Sequence, residues 1–117
     1  MAKEFTQGNY RRGVMPLAIL SLLKKRDMYG LELVQEMSRI SGGTVSTQEG
    51  SMYPVLYKLL EAELISDERR LVGKRLARIY YHLEPSGEEF LKELVSEYRA
   101  VTGGVYRLIE FGESSDE

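Results

Sequence analysis

Short polar side chains and cations, rather than nucleophiles, are where this sequence concentrates its chemistry. The run Ser46-Thr47-Gln48-Glu49-Gly50-Ser51 sets hydroxyls, an amide and a glycine side by side. Such residues exchange hydrogen bonds at close range and let a backbone approach a surface. Lys74 and Arg75 follow a glycine in "VGKRL", Arg78 comes three residues later, and Arg11 and Arg12 form another basic pair. Cations of this kind neutralise phosphate, and the binding they give weakens steeply with salt. Catalytic chemistry is poorly supplied. His82 is the single histidine and there is no cysteine, which excludes disulfides, thiolate nucleophiles and cysteine–metal sites. A lone imidazole next to Glu84 falls short of a metal ligand set. No Ser/His/Asp set, phosphate-cradling glycine loop or carboxylate pair can be placed, so neither an enzyme nor a cofactor is expected.

The charge distribution agrees with a polyanion partner. Net charge is −2 over 117 residues. Residues 1–83 nevertheless net +4 and residues 84–117 net −6, so the front half alone suits a polyanion. The length suggests one domain. The longest apolar stretch, Val14 to Leu23, is about half of the ~20 residues needed to span a bilayer. A soluble, cytoplasmic protein with no membrane partner is expected.

Four helices and a hairpin must position these groups. Residues 1–10 read as a flexible arm. "VMPLAILSLLKKR" is apolar over most of its girth, with Pro16 in the first turn and Lys24, Lys25 and Arg26 at the end that favours cations. "LELVQEMSRIS" puts Leu33, Val34, Met37 and Ile40 inward and stops at Gly42-Gly43. Ser46 and Glu49 match a capping box ahead of a third helix carrying Met52, Leu56, Leu59 and Leu60. Strands at about 65–71 and 77–83 enclose the basic "VGKRL" tip, since Ile79, Tyr81 and Leu83 alternate with polar residues. Glu84-Pro85 opens the longest helix. Leu91, Leu94, Tyr98, Val101, Val105 and Leu108 recur at heptad spacing along it, and Gly103-Gly104 marks either a bend or a close neighbouring backbone. "GESSDE", within residues 112–117, reads as a disordered acidic tail.

This order predicts a mainly α fold with a small β-hairpin: a winged helix-turn-helix over residues 11–84 and a long C-terminal dimerisation helix over 85–111. A helix fits the major groove of B-DNA and reads bases with its N-terminal residues. At 100° per residue, Thr47, Ser51, Val55 and Lys58 lie opposite the buried Met52, Leu56 and Leu59. Pro54 is then tolerated if the helix starts near Gly50 or Ser51, and bends it if the start is Thr47. Candidate DNA contacts are Arg11, Arg12, Thr47, Gln48, Ser51, Tyr57, Lys58, Lys74, Arg75 and Arg78, with Ser46 a cap. The heptad residues are the candidate dimer interface.

From about Arg11 to Phe111 the chain resembles the PadR family of transcriptional regulators, especially its smaller branch, which includes a multidrug-responsive repressor. The resemblance rests on Tyr29-Gly30, "GSMYPVLYKLLEAELI" at 50–65 and "RIYYHLEPSG" at 78–87. It implies a homodimer that binds a roughly palindromic double-stranded operator, represses a promoter and lets go when a small molecule or stress signal acts. It also implies a hydrophobic aromatic effector between subunits, stacked on Tyr98, with Met15, Ala18, Leu22, Phe90 and Val95 as candidate lining. Two positions depart from the family pattern: threonine is usual at Glu84 and glycine at Glu63. Two other functions stay open, a winged-helix module for protein–protein contact and a ligand-sequestering protein without DNA binding.

Overall fold

The computed structural model describes residues 13–115. Its elements run α1 (Met15–Lys25), β1 (Met28–Tyr29), α2 (Gly30–Ile40), α3 (Glu49–Glu61), β2 (Ile65–Val72), β3 (Leu76–Leu83) and α4 (Pro85–Glu113). The expected arm, with Arg11 and Arg12, lies outside the described residues. α1 is the hub, packing against α2, α3, β3 and α4, which is why both of its sides are apolar. Ile19, Leu20, Leu33, Met52 and Leu56 are fully buried at the centre, each contributing about 1.5–3 kcal/mol by leaving water. None of the described helices is long and apolar enough to cross a membrane.

The hairpin forms as expected, but it belongs to a three-stranded antiparallel sheet in the order β1-β3-β2. β1 pairs Met28 with Tyr81 and Tyr29 with Tyr80, and two residues are too few to show an alternation in sequence. Side chains hold it. Met28 and Tyr81 are buried. On the other face Tyr29 and Tyr80 meet edge-on at 5.5 Å, with Arg78 4.3 Å over Tyr29 and Arg70 4.5 Å over Tyr80.

α2 ends in a Schellman motif, with Gly43 N–H bonded to the Ser38 carbonyl and Gly42 left-handed at φ 68°. Ile40 does not point inward as expected: it is 62% exposed, because it is the last helical residue and lies at the rim of a surface groove beside α1. α3 closes with the same motif, Leu64 N–H to Leu59 carbonyl and Glu63 N–H to Leu60 carbonyl. Its left-handed residue is Glu63, at φ 60°. A side chain in that conformation costs roughly 1–2 kcal/mol, and glycine gives back part of the difference through its freer unfolded chain. Glu63→Gly should therefore stabilise the protein by about 0.5–1 kcal/mol, read as a thermal midpoint a few °C higher. A lower midpoint would mean that the exposed carboxylate makes a contribution of its own.

That turn is also the joint to α4. The Leu64 carbonyl accepts Glu84 N–H at 3.0 Å, and the Ser86 hydroxyl donates to the Glu63 carbonyl at 2.8 Å. Gly87 is buried so tightly against Leu64 that a Cβ there would overlap its carbonyl oxygen. α4 then runs unbroken for 29 residues, about 43 Å, past Gly103-Gly104. The close approach expected there is not made within this chain, since a Cβ at either glycine meets only the Arg107 side chain at 3.7 Å. The helix reaches Glu113, so Gly112 and Glu113 are helical rather than part of a disordered tail.

Candidate nucleic-acid interface

α2 and α3 form the helix-turn-helix, and β2–β3 form the wing. The capping box does not form. α3 starts at Glu49 with Gln48 extended before it and no side-chain cap. The Glu49 carboxylate instead accepts a hydrogen bond from the Tyr53 hydroxyl, one turn on, at 3.0 Å. Ser51 and Met52 N–H both reach the Gln48 carbonyl at 3.1 Å. Pro54 is thus the sixth helical residue, past the turn in which a donor is dispensable, and it leaves the Gly50 carbonyl without its helical partner. Gly50 is exposed, so water can take that bond.

Gln48, Ser51 and Lys58 are exposed on the outer side of α3, with Val55 half-buried among them. Thr47 is half-buried and turns its hydroxyl to the Gln48 carbonyl at 3.2 Å. Tyr57 sits on the flank instead, its ring stacked 6.2 Å from Tyr53. Together with Tyr53, Arg78, Ile79 and Tyr81 it borders a cleft of about 560 Å³ between α3 and the wing. Lys74 and Arg75 stand exposed at the wing tip. Arg78 is half-buried with its guanidinium on Tyr29, so it braces the wing's root rather than standing free at the tip.

Electrostatics explain the lone histidine. His82 Nδ1 lies 2.7 Å from one Asp27 oxygen, and Arg70 reaches the other at 2.6 Å. Partial burial pushes the Asp27 carboxyl up, but the hydrogen bonds and charges of His82 and Arg70 together hold it below the usual value. The group ties the α1–β1 link to β2 and β3. No cluster of three or more potential metal ligands occurs among the described residues. Burial pushes the Tyr81 phenol up to about 12, and burial followed by Glu49 raises that of Tyr53. Both stay protonated donors at neutral pH.

The heptad stripe divides. Leu91, expected at a dimer seam, is 4% exposed in the protomer's own core, with Leu94 partly buried against it. α4 must cover α1 before it leaves the domain, which uses up the first two heptad positions. Tyr98, Val101, Val105 and Leu108 remain exposed, joined by Tyr106, Ile109 and Phe111. Met15, a candidate effector contact, is buried in the core instead. The adjacent apolar groove of about 430 Å³ is lined by Val14, Leu17, Ala18, Leu22, Ile40 and Tyr98, among others. Of the other lining candidates, Phe90 and Val95 lie away from that groove.

Residues 19–93 match the family model of PadR-like transcriptional regulators. The chain belongs to the PadR-like family. This is a family of transcriptional regulators rather than of enzymes, and the fold is its winged helix with a long C-terminal helix. An uncharacterized protein X of Lysinibacillus sphaericus is 32% identical over 90 residues, 77% of this chain and 83% of the relative. A PadR-like transcriptional regulator of Bacillus cereus superposes with a TM-score of 0.75 at 26% identity, covering 87% of this chain and 97% of its own. Bacillus subtilis PadR, solved in complex with operator DNA, gives a TM-score of 0.65 at 28% identity over 70% of this chain and 47% of that one. The family match stops at Glu93, short of every exposed residue of the α4 stripe.

Proposed function

We propose that this PadR-like protein is a homodimeric, sequence-specific DNA-binding repressor, released from its operator by a small molecule or stress signal. The observation that supports the reading is exposure: Gln48, Ser51 and Lys58 at α3 and Lys74 and Arg75 at the wing tip are all open to solvent, beside a cleft lined by Glu49, Tyr53 and Tyr57 of α3 and by Asp67, Ala77, Arg78 and Ile79 of the wing. α3 would read base edges through Gln48 and Ser51 while Lys58, Lys74 and Arg75 neutralise phosphate. Thr47, Tyr57 and Arg78 would support these contacts, and Arg11 and Arg12 would add charge near the start of α1. Two copies paired through Tyr98, Val101, Val105 and Leu108 would set their α3 helices about one turn of B-DNA apart, ~34 Å, on a roughly palindromic site. A cytoplasmic location goes with this reading. The effector is a hydrophobic aromatic molecule held beside Tyr98, with Ala18 and Leu22, which line the groove, in place of Met15, which does not.

The test is binding to the DNA upstream of its own gene, by anisotropy at two salt concentrations. The parent should show a steep salt dependence. A Lys74→Ala/Arg75→Ala variant should bind at least about tenfold more weakly, with the salt slope lower by about 1 for each phosphate no longer neutralised. Equal affinity in the variant removes the wing from the interface. No specific binding by the folded parent would favour a winged helix used for protein contact or for holding a ligand.

A further inference from the structure

The wing reaches past the rest of its sheet. β2 and β3 pair along their whole length, from Ile65 with Leu83 to Val72 with Leu76, whereas β1 meets β3 only at Tyr80 and Tyr81. The stretch from Leu76 to Ile79 and its partners in β2 therefore have no third strand beside them. On the face that carries Tyr81 into the core, Leu71 is 74% and Ile79 41% exposed, so nothing packs under the overhang there. Arg75 lies five residues beyond Tyr80, roughly 17 Å along the strand. A tilt of roughly 10° at the root would carry the tip about 3 Å, the length of a hydrogen bond.

The other face holds a line of contacts that starts outside the wing. Arg70 and Arg78 stand directly opposite each other across the hairpin, a like-charge pairing that by itself weakens a sheet. Other groups draw the two cations apart. Arg78 lies on the Tyr29 ring at 4.3 Å, Arg70 on the Tyr80 ring at 4.5 Å, and the two rings meet edge-on at 5.5 Å. The line ends on Asp27, in the link between α1 and β1. One of its carboxylate oxygens accepts Arg70 at 2.6 Å, and the other lies 2.7 Å from His82 Nδ1. Asp27 thus holds both strands of the wing, one through each oxygen, from a segment outside it. Its side chain is 27% exposed, so this contact is less screened than the approach of Arg70 to Glu68 at 3.4 Å, where the Glu68 side chain is 68% exposed.

We propose that Asp27 is the positioning residue of the wing: by holding Arg70 and His82 it sets the angle at which Lys74 and Arg75 meet phosphate. The effect on DNA rests on the function proposed above; the brace itself does not. Its predicted sign is the opposite of what simple electrostatics gives. Removing a carboxylate beside a polyanion-binding surface ordinarily tightens that binding. Removing this one should weaken it, because Arg70 is freed to repel Arg78 and the tip loses its fixed angle.

Asp27→Asn, nearly isosteric, should bind operator DNA about five- to tenfold more weakly than the parent, with a lower salt slope. Tyr80→Leu, which keeps apolar bulk but removes the ring under Arg70, should do the same. Glu68→Gln is the control, since it removes an equal charge that also approaches Arg70, and it should leave affinity unchanged or slightly raised. On the Lys74→Ala/Arg75→Ala background Asp27→Asn should cause no further loss, because the contacts it positions are gone. A loss that adds in full on that background, or equal or tighter binding by the folded Asp27→Asn protein, overturns the proposal. Amide hydrogen exchange tests the brace without DNA. Residues 71–77 should exchange at least about tenfold faster in Asp27→Asn than in the parent, while α1, α2 and α3 keep their protection. No operator binding by the parent would remove the DNA reading alone; unchanged exchange at the wing would remove the brace.

Discussion

Glutamate at both Val101 and Val105 should convert the protein to a monomer and lower its affinity for operator DNA by more than about 100-fold. The core of the protomer ends near Leu94 and Val95. Beyond it α4 projects far enough to draw the molecule out to 67 × 30 × 23 Å. Val101 is 60% exposed and Leu108 69%, so these apolar side chains gain burial only from another molecule. Each Å² of apolar surface they cover is worth about 25 cal/mol. Two carboxylates on that surface would have to be buried without partners, at several kcal/mol each. The winged helix itself should keep its circular dichroism and thermal midpoint, because neither valine touches the core. DNA binding should fall because two linked half-site contacts hold far more tightly than either alone. Sedimentation and anisotropy check the two parts. A folded variant that remains dimeric would move the interface off the α4 stripe.

The second large effect belongs to Gly87. Gly87→Ala should lower stability by about 3 kcal/mol, a drop in thermal midpoint of roughly 10 °C or more. The added Cβ overlaps the Leu64 carbonyl oxygen and also comes within 2.7 Å of Leu83 Cδ1. Leu64 has little room to yield. Its N–H closes the α3 Schellman motif and its carbonyl holds Glu84 N–H. Relief must come from tilting α4, so operator affinity should fall even at temperatures where the variant is folded. Gly112→Ala supplies the control, since a Cβ there meets nothing within 4 Å. It should be neutral or stabilising by up to about 1 kcal/mol, as for alanine replacing glycine in an exposed helix. If both substitutions act alike, the close packing at Leu64 is not the cause.

Much of the fold was legible because its elements are long enough to repeat. α1, α2 and α3 each show a helical stripe of apolar residues. β3 alternates Ile79, Tyr81 and Leu83 with polar neighbours, and α4 carries a heptad over its length. The PadR-like motifs around Tyr29-Gly30, Met52-Tyr53-Pro54 and Tyr80-Tyr81 marked the same elements. The missed features are local choices among partners. Glu49 had Ser46 and Tyr53 within reach and took Tyr53, which no spacing rule decides. β1 is too short to carry a period, and it forms only because β3 offers an open edge next to Met28 and Tyr29. The departure at Glu63 was visible, but its left-handed backbone was not.

Sequence alone therefore determined the class of molecule: helices, a basic-tipped hairpin, a polar helix front and an acidic, apolar-striped end, since periodicity and charge are properties of neighbours along the chain. Tertiary structure decided which apolar residues were spent internally and which were left over. Leu91 and Val101 share one heptad pattern, yet α1 lies over the first and solvent over the second. It also brought Asp27 to His82 across 55 positions, and to Arg70 across 43. Pairings at such separations depend on how the elements stack, and stacking is set by close packing at points such as Gly87 that carry no signal in a linear pattern.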